Sequence, residues 1–217
     1  MQTPHVTVLT AVRNGSRYLP ETIASIRAQT FRDWEYIIVD DASEDDTCRV
    51  VEAASRDDSR IRLIRRSKSE GPFAAANEGL SQARGRFVVR TDADDISPPH
   101  RIDRQLRFLN AERRFRACIS PWQSFDERGL IAGSVNRIPS GADSLRWYLL
   151  LRTFSSHSSL CIERAALQEI GGYFELPVAQ DYRLVCDLSR RGWLGVVPEV
   201  LSYVRRHENR ISGRNGL

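Results

Sequence analysis

"VTVLTAVRNGSRYLPETIASIRAQTFRDWEYIIVDD" (Val6–Asp41) holds a complete strand–helix–strand unit. "VTVLTAV" is rich in β-branched residues and reads as a strand. "YLPETIASIRAQT" (Tyr18–Thr30) places Leu19, Ile23 and Ile26 at helical spacing. "WEYIIVDD" (Trp34–Asp41) is a second apolar run, and it ends in acid. Two strands joined through one helix run parallel, with a right-handed crossover. The unit therefore predicts an α/β chain built on a mostly parallel central sheet flanked by helices.

The alternation continues outward. "SEDDTCRVVEAASRDD" (Ser43–Asp58) reads as a helix with Ser43 as its cap and acids in its first turn. "RIRLIRR" (Arg60–Arg66) is a third strand. "PFAAANEGLSQARG" (Pro72–Gly85) is a helix with Pro72 at its start and Gly85 as its stop. "RFVVRTDADD" (Arg86–Asp95) is a fourth strand. After Pro98–Pro99 the pattern changes. A helix over His100–Glu112 is followed by two strands around a polar turn at Asp126–Gly129, then by a strand and short helix ending at Gly171–Gly172. A further helix carries Asp181 in its first turn, and one strand closes the chain before His207. The parse is one domain over 1–217, with a nucleotide-type half (1–95) and a mixed half (96–217) that holds a small second sheet.

Composition narrows the possibilities. The chain has 217 residues, 41% hydrophobic and 28% charged, with a net charge of +4. That is enough apolar matter for one real core. Lys68 is the only lysine, so the positive charge is almost all arginine, whose planar fork suits phosphate and carboxylate. Cys48, Cys118, Cys161 and Cys186 form no CxxC pair and read as reduced thiols of a cytoplasmic protein. The N-terminus carries no signal-peptide pattern, and no apolar run reaches the ~20 residues of a membrane span. "LRWYLLLRTF" (Leu145–Phe154) is amphipathic and suits core packing more than a membrane surface; peripheral contact with the inner face of a membrane stays open.

In open parallel sheets, ligands bind outside the carboxyl ends of the strands. Three predicted strands end on that rim, near Arg13–Asn14–Gly15, at Asp40–Asp41 and at Asp92–Asp95. A lone aspartate there is ordinarily a turn former or a helix cap. Two acidic clusters on one rim repel each other, and a hard divalent cation, Mg²⁺ or Mn²⁺, relieves that repulsion. Such an ion binds through one or two carboxylates plus substrate phosphates, which points to a bound diphosphate.

At these residues the sequence resembles the family 2 glycosyltransferases, which have the GT-A fold. The blocks that carry the likeness are Val6–Thr47, "GPFAAANEGLSQARGRFVVRTDADD" (Gly71–Asp95) with its DxD, "IGGYFELPVAQDYRLVCDLSRRGW" (Ile170–Trp193) and "YVRRHENRIS" (Tyr203–Ser212), in family order. The resemblance implies an inverting, metal-dependent transfer of a hexose. The donor would be a nucleoside-diphosphate sugar, most simply UDP-linked. The acceptor would be a saccharide or a lipid-linked hydroxyl, in cell-surface polysaccharide or glycolipid assembly. By resemblance, Asp41 meets the donor's base with Asp40 beside it, and Ala11 lies in the donor-contacting stretch. Asp92 faces the ribose or metal, Asp94 ligates the metal and His207 reaches the metal or diphosphate. Asp181 is the catalytic base, and Asp95 is either a supporting partner or a helix cap.

The sequence departs from the family pattern in places. Gln180 precedes Asp181 where Glu is common, and Arg13 stands where an aromatic often lies. His157, in "SSHSSLCIERAAL", reads equally as an acceptor-side residue or as a buried structural histidine. Other functions are weaker readings. A sugar-phosphate nucleotidyltransferase would show a glycine- and arginine-rich loop after the first strand. A nucleic-acid binder would cluster its arginines with aromatics. A donor-binding relative without activity would lack the DxD or Asp181. No nucleic acid is expected as a partner.

Overall fold

The computed structural model describes residues 3–151, 157–174 and 180–207. Seven strands form the central sheet in the order β3-β2-β1-β4-β8-β5-β9. The first four are β1 (Val6–Val12), β2 (Trp34–Asp40), β3 (Ile61–Arg65) and β4 (Phe87–Arg90). All pair in parallel, with Val6 opposite both Trp34 and Phe87. The others are β5 (Ala117–Ile119), β8 (Cys161–Glu163) and β9 (Leu194–Val196). β8 runs antiparallel to both β4 and β5, so the sheet draws on both halves of the sequence.

The period of two along β1 sorts its side chains between two layers. Val6, Val8 and Val12 pack with α1 (Leu19–Arg27), α2 (Thr47–Asp57) and α4 (Arg101–Ala111), through Leu19, Ile23, Val51, Ile102 and Leu106. Leu9 faces α3 (Pro72–Ser81), α5 (Ala142–Leu151), α6 (Arg164–Glu169) and α7 (Gln180–Arg190), through Ala76, Leu80, Leu149, Leu167 and Leu184. A second sheet, β10-β6-β7, joins β6 (Trp122–Asp126), β7 (Gly129–Asn136) and β10 (Ser202–Arg205). An antiparallel bridge from Ile96 to Tyr203 ties it to the segment after β4, which places β10 beside the rim.

Several expectations change in detail. Gly85 does not stop α3, which already ends at Ser81. A Cβ at Gly85 would lie 2.3 Å from the Thr7 backbone nitrogen, so glycine there lets two backbones touch. α2 begins at Thr47 without a side-chain cap; the Ser43 hydroxyl instead accepts the Asn14 N–H at 2.8 Å. The polar turn at Asp126–Gly129 forms as expected between β6 and β7, but a further strand, β5, precedes it. The closing segment holds two strands, β9 and β10, rather than one. α5 is split in character: Leu145 and Leu149 are buried, while Trp147 and Leu150 are exposed. The four cysteines are free thiols. No helix among the described residues is long and apolar enough to cross a membrane.

Candidate active site

The parallel register carries Val12 and Asp40 to the same level, and Thr91 donates its N–H to the Leu9 carbonyl at 3.2 Å. The ends of β1, β2 and β4 therefore share one rim, which gathers Ala11, Asp40, Asp41 and Asp92–Asp95.

The turn Asp92–Asp95 is gripped from several sides. The Asp92 N–H donates to Ser158 Oγ at 2.8 Å, in the short turn His157–Ser159. Thr22 of α1 donates its hydroxyl to the Ala93 carbonyl at 2.9 Å. Arg205 donates from Nε to the Asp94 carbonyl at 3.0 Å and from its backbone N–H to Asp95 Oδ1 at 3.1 Å. Asp95 is therefore a buried fastener for β10. It is not the cap of α4, whose N-cap is His100. The remaining two carboxylates are left facing the rim, with Asp92 37% and Asp94 23% exposed.

Asp94 meets His207 there. Nε2 of His207 lies 2.8 Å from Asp94 Oδ2, across 113 residues of sequence. The His207 ring packs against Tyr18 at 4.8 Å between centroids, and its Nδ1 is buried without a partner among the described residues. The Asp94 carboxylate is a hard oxygen donor of the kind Mn²⁺ or Mg²⁺ takes, and the His207 imidazole beside it could add a nitrogen donor. Among the described residues, no group of three or more His, Cys, Asp or Glu forms a cage. Two protein donors, with the remaining positions left to phosphate and water, is the usual arrangement for these ions on nucleotide substrates.

Asp41 is held differently from the expectation of a residue waiting for a base. Its carboxylate accepts from Arg66 Nη1 (2.8 Å), Ser69 Oγ (2.7 Å), Glu70 N–H (3.2 Å) and Gly71 N–H (3.0 Å). A carboxylate offers about four acceptor positions, so in this state Asp41 is committed to shaping the 66–71 loop. Burial alone would raise its pKa. The bonds from Ser69, Glu70, Gly71 and Arg66 outweigh burial and hold it below the ordinary carboxylate range. The folded pKa is depressed, so the contribution to stability is present above the unfolded value and is lost as pH falls through the folded one. Asp41→Asn is expected to cost about 1–3 kcal/mol at neutral pH and to flatten the loss of stability at acid pH, measured by urea unfolding from pH 7 to pH 3. Asp40 is also buried; one oxygen accepts the Ser43 N–H at 3.2 Å, and the carboxylate lies beside the Cys48 thiol.

His157 is buried among Phe73 and Tyr173, each 5.8 Å away between ring centroids. Burial, with help from the charge of Arg90, pushes its pKa down to about 4 against the opposing pull of Asp92. It is therefore neutral at neutral pH, and its Nε2 has no partner among the described residues. Asp181 is the second residue of α7; its side chain lies outside the described residues.

Sequence reasoning missed three supports. Arg205 bridges Asp94, Asp95 and Glu21, with Nη2 2.8 Å from Glu21 Oε2. Arg101 is fully buried and donates to the Arg90 carbonyl at 2.7 Å and to Ser97 Oγ at 2.9 Å; burial lowers its pKa to about 10, which leaves it charged at neutral pH. Gln29, in the "QT" of the first helix block, donates to the Pro98 carbonyl at 2.7 Å and accepts the Ile102 N–H at 3.1 Å. It ties α1 to the start of α4.

Known proteins are similar to this chain in sequence and in fold. EpsE of Bacillus subtilis (strain 168) is 32% identical over 171 residues, which is 78% of this chain and 60% of EpsE. The fold is that of S. aureus TarS in complex with UDP-GlcNAc, with a TM-score of 0.76 at 20% identity over 98% of this chain and 61% of that one. It is equally that of the mannosyltransferase PcManGT from Pyrobaculum calidifontis in complex with GDP-Man and Mn²⁺, with a TM-score of 0.76 at 19% identity over 99% of this chain and 60% of that one. The chain thus has the GT-A fold and spans about three-fifths of the length of these proteins. The family profile described as glycosyl transferase family 2 matches residues 7–171, and the chain belongs to that family.

Proposed function

We propose that the protein is a divalent-metal-dependent, inverting glycosyltransferase. It would move a hexose from a nucleoside-diphosphate sugar, most simply UDP-linked, to a hydroxyl of a saccharide or lipid-linked acceptor, in the cytoplasm or at the inner face of the membrane. The observation that carries this reading is the Asp94–His207 pair, 2.8 Å apart on the rim where β1, β2 and β4 end. Family membership supports the transferase class. The nucleotide sugars in the TarS and PcManGT complexes support the donor class, and the Mn²⁺ of PcManGT supports the metal.

The chain's own groups divide the work. Asp94 and His207 would hold the cation against the diphosphate, with Asp92 beside them. The bound cation would supply neutralisation of the leaving diphosphate's charge. Arg205, Thr22 and Ser158 hold the turn rigid, so that little reorganisation is needed when the donor arrives. Asp40 and the loop fixed by Asp41 shape the floor for the base and ribose, with Ala11 alongside. Asp181, at the start of α7, would accept the proton of the attacking hydroxyl. Gln180 beside it carries no charge that would raise the base's pKa through like-charge repulsion. Residues 1–217 would work as one unit, because both halves supply parts of the site.

The test is a thermal-unfolding panel of UDP, dTDP, GDP and CDP, each with and without Mn²⁺. A ligand that binds only the folded state raises Tm by mass action; at 100 times its Kd it adds about 2.7 kcal/mol. One nucleotide is expected to stand out, and only with metal. No stabilisation by any nucleotide–metal pair would refute the reading.

A further inference from the structure

A cavity of about 480 Å³ lies beside His207. Its walls are Arg17 and Tyr18 ahead of α1, Asp126–Arg128 from the end of β6 into the turn before β7, and Arg205–His207 from the last residue of β10 onward. Four arginines face two carboxylates. Arg205 is spent internally, on the Asp94 carbonyl and Glu21, between the rings of Tyr18 and Phe125. Arg17 pairs with Glu127 at 2.8 Å, both exposed. Asp126 Oδ1 accepts the backbone N–H of Arg128 at 2.8 Å.

Two guanidinium groups remain. Arg206 donates from Nε to Ser124 Oγ at 3.0 Å, which leaves its terminal nitrogens for other partners. Among the described residues, no carboxylate lies within ion-pair distance of Arg128 or Arg206. Both line the same cavity, one from the β6–β7 turn and one from the strand end beside it. Two planar forks on one concave wall suit an oxyanion, which they can bind with paired, charge-assisted hydrogen bonds. The Asp126 carboxylate offsets one of these charges, and a neutral sugar would not compensate the positive charge that remains.

We propose that this cavity is an anion subsite, built on Arg128 and Arg206, for a phosphate or carboxylate group of the acceptor. The proposal rests on the transferase reading above. The donor's own diphosphate is the other source of the same chemistry, because the cavity shares His207 with the metal pair. Of the donor's expected contacts, however, Ala11, Asp40, Asp41, Asp92 and Asp94 do not line the cavity, and only His207, expected at the metal or diphosphate, reaches its edge.

The test uses inorganic sulfate as the probe, titrated calorimetrically into the whole chain at constant ionic strength, with and without saturating UDP and Mn²⁺. Wild type is expected to bind sulfate, and Arg128→Ala/Arg206→Ala to bind it at least about tenfold more weakly, the scale of two charge-assisted contacts. UDP and Mn²⁺ are expected to leave the sulfate affinity within about twofold, as for independent sites. Both substituted side chains are exposed, and a matching Tm would show that the variant is folded; Arg128→Glu alone, expected to lose sulfate as well, is the second variant. Unchanged sulfate affinity in the variants, or no sulfate binding by wild type, would overturn the subsite. Exclusion of sulfate by UDP and Mn²⁺ would overturn its separation from the donor site. If UDP and Mn²⁺ fail to bind while sulfate binding still depends on Arg128 and Arg206, the anion site stands and the transferase reading is what fails.

Discussion

Asp181→Asn is expected to lower kcat by about 10²–10⁴-fold, the usual contribution of a positioned general base, while donor affinity changes by less than about twofold. The change removes the proton-accepting oxygen and keeps the shape of the side chain. It also separates the two roles an acid can have at the start of α7. As a dipole partner in the first turn, an aspartate contributes only about 0.3–1 kcal/mol, and asparagine there would shift Tm slightly and leave turnover intact. A drop in kcat with an unshifted Tm would identify the base. Near-wild-type turnover would remove Asp181 from the chemistry.

Asp94→Ala is expected to raise the Mn²⁺ concentration needed for half-maximal transfer by at least about 10–100-fold, as expected when a site with few protein donors loses one. The fold should tolerate the change. Arg205 grips the Asp94 backbone carbonyl and the Asp95 side chain, so the turn keeps its shape without the Asp94 carboxylate. His207→Ala should act in the same direction. The double variant should fall short of the sum of the two, because the pair acts as one unit. Full additivity, or an unchanged metal requirement in Asp94→Ala, would separate the two residues from a shared ion.

Much of this was visible in the sequence, for identifiable physical reasons. The parallel sheet follows from β-branched runs separated by helical spacing, a pattern that local sequence states directly. The rim follows from polar residues at the ends of those runs. The nearness of His207 to Asp94 was suggested only by resemblance, because the two lie 113 residues apart and no local pattern connects them. What escaped was partner choice. Asp41 looks like a residue left open for a ligand, yet its carboxylate is filled by a loop 25 to 30 positions further on. Asp95 reads in the sequence as either a supporting partner or a cap, and only the packing shows it as a fastener for β10. Gly85 looks like a helix stop and is instead a close contact between backbones. In each case the residue type was informative and the partner came from tertiary packing.

The most direct test of the central claim is a calorimetric titration of UDP, or of whichever nucleotide the unfolding panel selects, into the wild-type chain in Mn²⁺ and then in EDTA. On the proposed reading, Asp94 and His207 serve the donor through a shared cation. The account therefore predicts binding at least about tenfold tighter with the metal, with the metal-dependent part lost in Asp94→Ala. Equal affinity in Mn²⁺ and EDTA would contradict it.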